Sequence, residues 1–270
     1  MQPKRLNHAA VTTKVSQHMP LKVITVPCLN DNYAFLMKDE ASGRVGVVDV
    51  PEAGPIQAAL ATAGWTLTDV FFTHHHHDHI GGLPELGAEG VRIWGSAADQ
   101  DRLPTLTDPV LPGDTIRFGE SMAQVWDVSG HTINHLAFIF DGYVFTGDSL
   151  MALGCGRLFE GTPEQMHASL KQFENLPDET LVCSGHEYTA ANGRFAKTIE
   201  PDNAALAQRL QSVAQARAAN QPTVPSRLGE ERATNPFLRC HVEAVKAGVN
   251  LPNSTDVATF AAVRASKDAF

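Results

Sequence analysis

The amino-acid sequence predicts an α+β protein, with a strand-rich part at residues 21–186 followed by a helical part at residues 187–270. Three observations lead to this prediction. Short apolar runs of strand length recur through the first part. Histidine and aspartate residues follow the ends of several of these runs. Beyond residue 186, alanine-rich stretches favour helices.

The individual elements follow from local composition and turn signals. Strands are expected where apolar, β-branched and aromatic residues cluster, at 23–26, 33–37, 44–50, 70–72, 91–94, 121–126, 136–140 and 143–145. Helices are expected at 56–63 and at 162–176, the latter opening with Thr-Pro-Glu, a cap followed by proline at the first helical position. In the second part, helices are expected at 203–219 and 254–266, with Ser254 as the cap of the last one.

The most informative segment is Thr-His-His-His-His-Asp-His at 73–79, which holds five of the twelve histidines. A chance or purification-type tract is usually terminal and flanked by polar residues, whereas this one follows the apolar run 70–72. His74 and His76 can share one metal, while Asp78 and His79 can point at a second position. The spacing therefore offers two open half-sites, which is typical of a catalytic metal centre.

Three more candidate ligands lie further along the chain. His131, Asp148 and His186 each follow a strand-like run, and each is directly preceded by glycine. Glycine permits a sharp turn and a close approach of the backbone to a site. Each residue alone could be part of a capped turn or a core histidine, but their recurrence predicts one shared site at a sheet edge.

These motifs resemble those of the metallo-β-lactamase superfamily: T-H-x-H-x-D-H, G-H-T at 130–132, F-T-G-D-S at 145–149 and G-H-E-Y at 185–188. Within it, G-C-G-R-L-F-E-G-T at 154–162 and R-A-S-K-D-A-F at 264–270 are similar to segments of the glyoxalase II group, the hydroxyacylglutathione hydrolases. The resemblance implies a four-layer αββα sandwich at 21–186 with the site at one edge of two sheets. It also implies a small helical substrate-binding domain at 187–270.

The same resemblance implies two divalent cations, with zinc as the first choice and iron or manganese as alternatives. One cation would be held by His74, His76 and His131, the other by Asp78, His79 and His186, and Asp148 would bridge them. Two cations a few Å apart can lower the pKa of a water molecule that they share, so that it is hydroxide at neutral pH. Asp78 and Asp148 are therefore assigned as catalytic residues that act together with this hydroxide. The expected reaction is hydrolysis of S-D-lactoylglutathione to glutathione and D-lactate, the second step of methylglyoxal detoxification.

Glutathione carries two carboxylates, so its site on an acidic protein needs local cations. Arg157, Arg264 and Lys267 match family positions that supply them, with Arg157 replacing a commoner lysine. Tyr188 can donate its hydroxyl, and Phe159 stands where many relatives have tyrosine. As an alternative, Arg264 and Lys267 lie at a solvated helix end, where cations only complement the negative end of the helix dipole.

Other residues near the motifs have supporting roles by the same reasoning. His75 and His77 fall at variable family positions, and we expect them to support the ligands or to face solvent. His135 is expected to pack near the site. Asp49 either orients a ligand histidine through a hydrogen bond or is a turn carboxylate.

Composition excludes several functional classes. The formal net charge of −9 argues against a nucleic-acid surface, and no apolar run reaches the length of a membrane span. The four cysteines form no C-x-x-C pair and indicate reduced thiols of a cytoplasmic protein, which we expect to be monomeric. Residues 1–20 contain no acidic residue and are expected to be a flexible extension or the result of an upstream start codon, with a mitochondrial-type leader as the alternative.

Two rival functions remain open from the sequence alone. A persulfide dioxygenase of the same fold also acts on a glutathione derivative but uses one iron. The presence of Asp78, His79 and His186 favours two metals instead. A histidine-rich metal store would need neither Asp148 nor the segment at 154–162.

Overall fold

The computed structural model describes residues 21–270, so the expected N-terminal extension at 1–20 lies outside the described residues. The strands are β1 Leu21–Cys28, β2 Asn32–Asp39, β3 Val45–Val48, β4 Asp69–Phe71, β5 Arg92–Ser96, β6 Asp108–Val110, β7 Thr115–Phe118, β8 Ser121–Asp127, β9 Leu136–Phe140, β10 Tyr143–Gly147, β11 Leu150–Met151, β12 Gly154–Cys155, β13 Leu181–Ser184 and β14 Ser226–Arg227. The helices are α1 Ala53–Ala63, α2 His77–Ile80, α3 Leu83–Leu86, α4 Pro163–Gln172, α5 Thr189–Ile199, α6 Ala204–Ala218, α7 Leu228–Thr234, α8 Glu243–Gly248 and α9 Asp256–Ala269.

Two six-stranded sheets form the centre of the described part of the chain. The first has the order β1-β2-β3-β4-β5-β6, and the second has the order β14-β13-β10-β9-β8-β7. In the first sheet, β3 to β6 run parallel, and in the second, β13 runs parallel to β10. The carboxyl ends of β3, β4, β10 and β13 therefore meet at one edge of the two sheets.

The alternation of side chains along β4 shows how the layers arise. Phe71 points between the two sheets, where its ring lies 5.8 Å from the ring of Phe118 and 5.4 Å from that of Phe138. Its neighbours Val70 and Phe72 point to the opposite face of the sheet, where they pack in one cluster with Ile56 and Leu60 of α1. Burying each of these large side chains stabilises the fold by about 1.5–3 kcal/mol.

Helices cover the outer face of both sheets, so the expected four-layer αββα sandwich is confirmed. Helices α1 and α3 cover the first sheet, and α4, α5 and α7 to α9 contribute to the core on the second sheet. Thr162 caps α4 in a capping box with Gln165, as its Thr-Pro-Glu start predicts. None of the described helices has the length and apolar character that crossing a membrane requires.

The region 187–270 is mainly helical, as expected, but much of its core is shared. Phe195, Phe237 and Phe260 pack in one cluster with Val144 and Val182 of the second sheet. Strand β14 pairs with β13 and so extends that sheet. The C-terminal region is therefore anchored directly on the strands that carry the candidate site.

The expected cap of the last helix is wrong by one residue. Helix α9 begins after Thr255, whose hydroxyl accepts a hydrogen bond from the amide of Ala258. The hydroxyl of Ser254 instead lies 2.8 Å from that of Thr259. Both residues are good caps by type, so the sequence alone did not separate them.

Candidate metal centre

Four strand ends bring the predicted ligands together. His74 and His76 follow β4, and Asp78 and His79 lie on the single turn α2. Three further residues come after later strands: His131 after β8, Asp148 after β10 and His186 after β13. All seven residues predicted from the motifs meet at the edge where the two sheets open.

The first group consists of His74, His76 and His131, with potential ligand atoms within 4.8 Å of one another. Nε2 of His131 lies 3.0 Å from Nδ1 of His76. Nε2 of His74 is buried and has no hydrogen-bond partner among the described residues. These three nitrogens surround one small volume that a cation can fill.

The second group consists of Asp78, His79 and His186. Nε2 of His79 lies 3.3 Å from Nε2 of His186 and 3.8 Å from Oδ2 of Asp78. The Asp78 carboxylate also lies 3.4 Å from Nε2 of His186. The amide of Asn32, at the start of β2, donates to this carboxylate at 3.0 Å and fixes its position.

Asp148 lies between the two groups. Its Oδ1 is 3.4 Å from Nε2 of His79, and its Oδ2 is 3.5 Å from Nε2 of His131 and 3.2 Å from Nε2 of His186. One carboxylate therefore faces both groups, which is the geometry that a bridging ligand needs.

Hydrogen bonds on the far side of three of the imidazole rings direct a lone pair toward the centre. Nδ1 of His79 donates to Asp49 at 2.8 Å, Nδ1 of His186 donates to Asp31 at 3.1 Å, and Nδ1 of His131 donates to the carbonyl of Arg157 at 2.7 Å. A neutral imidazole that donates from Nδ1 carries its lone pair on Nε2. Lone pairs this close repel one another unless a cation lies among them, so the residues fit a binuclear metal site.

Burial and charge act on these groups in opposite directions. Burial, helped by the neighbouring histidines, lowers the pKa of His74 well below its ordinary value. Burial also opposes charge on His79, but the carboxylates of Asp148 and Asp49 outweigh it and raise the pKa of His79. The two carboxylates therefore favour positive charge at this end of the centre, which a divalent cation held by Asp78, His79 and His186 would supply in place of the proton on His79.

Two glycines permit the close approach of the strands. A Cβ atom at Gly147, where φ is +48°, would lie 2.4 Å from Oγ1 of Thr73. A Cβ atom at Gly185 would lie 2.6 Å from Oδ1 of Asp148 and from Cε1 of His79. A larger residue at Gly185 would displace two candidate ligands, and one at Gly147 would displace Thr73, the neighbour of His74.

Four residues next to the candidate ligands differ in their contacts. Asp49 accepts from Nδ1 of His79, as one of its two expected roles requires, and it also accepts from the amide and hydroxyl of Thr73, which follows β4. His135 is buried, stacks on His74 with ring centroids 4.5 Å apart and accepts from the amide of Asp148. His77 is exposed, and His75 bonds Asp99 instead of facing the centre.

A cavity of about 440 Å³ opens from the candidate centre, and its lining includes all five residues expected to bind glutathione, Arg157, Phe159, Tyr188, Arg264 and Lys267. The Tyr188 ring stacks on His186 at 4.6 Å. The Phe159 ring is 61% exposed and packs edge-on against His76 and His131. The cavity is therefore continuous with both groups of candidate ligands.

Arg264 and Lys267 differ in their surroundings. Arg264 is only 6% exposed and donates to the backbone oxygen of Cys155, so the solvated helix end considered as an alternative is wrong for this residue. Lys267 lies over the rings of Phe195 and Phe270. Burial first, and then the positive charge of Arg264, lower the pKa of the Lys267 ammonium.

The comparisons with known proteins agree with this arrangement. The model of the metallo-beta-lactamase superfamily matches residues 47–186, and the model described as hydroxyacylglutathione hydrolase C-terminus matches residues 187–270. The crystal structure of the BLEG-1 B3 metallo-beta-lactamase has the same fold, with a TM-score of 0.60 and 17% identity over 80% of this chain and 99% of that one. The structure of TTHA1623 in a di-iron-bound form is similar over 61% of this chain and 91% of that one, with a TM-score of 0.52 and 26% identity.

Fold and site thus define a protein of the metallo-beta-lactamase superfamily. A curated relative from Jannaschia sp. (strain CCS1), named hydroxyacylglutathione hydrolase, is 58% identical over 92% of this chain and 98% of its own length. The chain belongs to the hydroxyacylglutathione hydrolase family.

Proposed function

We propose that this chain is a binuclear metal-dependent thioester hydrolase that cleaves S-D-lactoylglutathione, and related 2-hydroxyacyl-glutathiones, to glutathione and the free hydroxy acid. The main observation in support is that two groups of three candidate ligands lie around Asp148. They border the cavity that Arg157 and Lys267 also line. The name and the high identity of the curated relatives support the substrate class. The persulfide dioxygenase alternative is not favoured by these relatives.

His74, His76 and His131 are proposed to hold one divalent cation, and Asp78, His79 and His186 the other, with Asp148 between them. When bound, such a pair of cations lowers the pKa of a water molecule and polarises a carbonyl. The donor set suits zinc, iron and manganese alike, and we propose zinc as the first choice. The similar structure in a di-iron-bound form supports two metals and keeps iron as an alternative.

The contribution of the chain is to hold these groups rigid and to orient the substrate. Asp49 and Asp31 fix two of the imidazole rings, so little reorganisation is needed as charge develops at the thioester carbonyl. Arg157 and Lys267 lie at the same cavity and are proposed to bind the carboxylates of glutathione. Residues 187–270, which carry Tyr188, Arg264 and Lys267, are then proposed to be the substrate-binding domain, and Arg157 and Phe159 complete the site from the other domain.

No protein nucleophile is needed in this proposal. Cys155 lies beside the cavity, but burial raises the pKa of its thiol to about 11, although Arg264 opposes this. The thiol is therefore protonated at neutral pH and a poor nucleophile. All four cysteines are free and buried, in keeping with a reducing, cytoplasmic compartment, where we propose that the enzyme acts as a monomer.

Metal analysis combined with kinetics tests the proposal. The purified protein should contain two metal ions per chain and release glutathione from S-D-lactoylglutathione. A metal-free sample should be inactive, and adding back zinc, iron or manganese separately identifies the active metal. One iron per chain, with oxygen consumption on glutathione persulfide and no thioester cleavage, would instead establish the dioxygenase.

A further inference from the structure

We propose that Arg102 and Glu160 form a positioning pair that holds the substrate segment, residues 154–162, against the loop that carries His131. The expected effect of this pair on substrate binding rests on the proposed function, whereas its expected effect on the mobility of residues 154–162 does not. Neither residue belongs to the candidate metal ligands, and neither lines the cavity.

Glu160 joins the substrate segment to the loop after β8. Its Oε2 accepts from the amide of Ile133 at 2.8 Å, and its Oε1 accepts from Nη1 of Arg102 at 2.6 Å. Ile133 lies two residues beyond His131. The carboxylate therefore binds the loop that presents one of the candidate ligands.

Arg102 extends this contact to a third segment. Its Nε and Nη2 donate to Oδ1 of the buried Asp99 at 2.9 and 2.6 Å, and Nη2 also donates to the carbonyl of Ile133 at 3.2 Å. The other oxygen of Asp99 lies 3.2 Å from Nδ1 of His75. One guanidinium thus connects the turn after β5, the loop after β8 and the substrate segment.

The backbone alone holds this stretch of the substrate segment weakly. The amides of Phe159 and Glu160 donate to the carbonyl of His131 over 3.2 and 3.4 Å, and that of Gly161 donates to Gly130 over 3.1 Å. Two of these distances are at or beyond the long end of normal hydrogen bonds. Phe159 presents its ring to His76 and His131, so movement of the segment would move one wall of the cavity.

Kinetics of Arg102→Ala and Glu160→Gln test the effect on substrate. Each change should raise KM about 2- to 5-fold, which corresponds to the free energy that one partly exposed ion pair contributes. The value of kcat and the content of two metals per chain should stay as in wild type. Arg102→Lys should recover part of the loss, because it keeps the charge but not the bidentate geometry. Combining Arg102→Ala with Glu160→Gln should add little to either change alone.

Arg92→Ala is the matched control. Arg92 and Asp108 are 40% and 23% exposed, close to the 36% and 27% of Arg102 and Glu160, but they join β5 to β6 away from the cavity. This change should leave KM unaltered whatever it does to stability.

Hydrogen exchange of the metal-loaded protein provides a readout that does not depend on activity. The amides of residues 159–161 should exchange faster in Arg102→Ala than in wild type, and at the wild-type rate in Arg92→Ala. The proposal would be wrong if Arg102→Ala had the exchange rates and the KM of wild type. It would also be wrong if this variant lost its bound metal and its kcat together. If the wild-type protein does not cleave the thioester, the proposed function fails while the exchange rates still decide the role of the pair.

Discussion

Arg264 donates a hydrogen bond from Nη1 to the backbone oxygen of Cys155 at 3.0 Å, which ties α9 to the substrate segment. Its Nη2 donates to Asp268 at 2.8 Å, and its Nε is buried with no hydrogen-bond partner among the described residues. Arg264 therefore supports the cavity wall as well as facing the cavity. Removing the last seven residues would disturb both functions together, so single substitutions are more informative.

The first prediction separates Arg264 from Lys267. Lys267→Ala should raise KM for the glutathione thioester and leave kcat and Tm near wild type. Arg264→Ala should also lower stability by about 1–3 kcal/mol, because it leaves the oxygen of Cys155 without its charged donor. Thermal unfolding and steady-state kinetics measure the difference, with Lys171→Ala at an exposed position of α4 as a control. Equal Tm values for Arg264→Ala and Lys267→Ala would contradict the supporting role.

The second prediction concerns Asp148. A carboxylate between two cations offsets their mutual repulsion, so Asp148→Ala should lose metal and activity together. Metal analysis after dialysis should give fewer than two ions per chain. A variant that kept two metals and near-normal turnover would show that Asp148 does not bridge.

The third prediction concerns the hydrogen bond from His79 to Asp49. Asp49→Asn keeps the size of the side chain but removes its charge, and we expect a loss of about 10- to 100-fold in metal affinity at the second position. Competition with a chelator measures this affinity. Asp39→Asn is the control, since Asp39 is equally buried but bonds Ser42 and Ser121 instead of a candidate ligand. Equal metal affinities in the two variants would mean that Asp49 only holds Thr73 in place.

The sequence predicted the seven candidate ligands because motif spacing and strand-end glycines are local signals. It did not reveal Asp31 or the carbonyl of Arg157, which hold His186 and His131. Asp31 and His186 are 155 positions apart, so only the fold brings them together. Asn32 and Asp99 were missed for the same reason.

Some elements were also hidden by their composition. Helix α5 starts three residues after His186, lacks a side-chain cap and contains Gly193, which disfavours a helix. Strand β14 is two residues long and exists only because it pairs with β13. Tertiary packing fixed these elements, which explains why local patterns did not predict them.

The fourth prediction concerns Cys155. Because burial keeps its thiol protonated, Cys155→Ala should retain most of its turnover. Mass spectrometry of wild-type protein quenched during turnover should find no acyl group on the cysteine. A trapped acyl adduct at Cys155, with loss of turnover in the variant, would replace the metal-dependent route by covalent catalysis.

The last prediction concerns Phe159, at a position where the resemblance to the glyoxalase II group leads us to expect tyrosine. Its exposed ring lies edge-on to His76 and His131 at the cavity mouth, so an added hydroxyl would point toward bound substrate or solvent. One additional hydrogen bond contributes about 0.5–1.5 kcal/mol, and Phe159→Tyr should therefore lower KM by roughly 2- to 12-fold with little change in kcat. Phe159→Leu, which removes the aromatic contacts, should raise KM instead. The inhibition constant of a non-hydrolysable S-alkylglutathione should follow both changes, because it reports binding alone. If neither KM nor this constant responds to the hydroxyl, a tyrosine at this position does not contact glutathione, and the proposed contacts of Arg157 and Lys267 would have to hold the substrate.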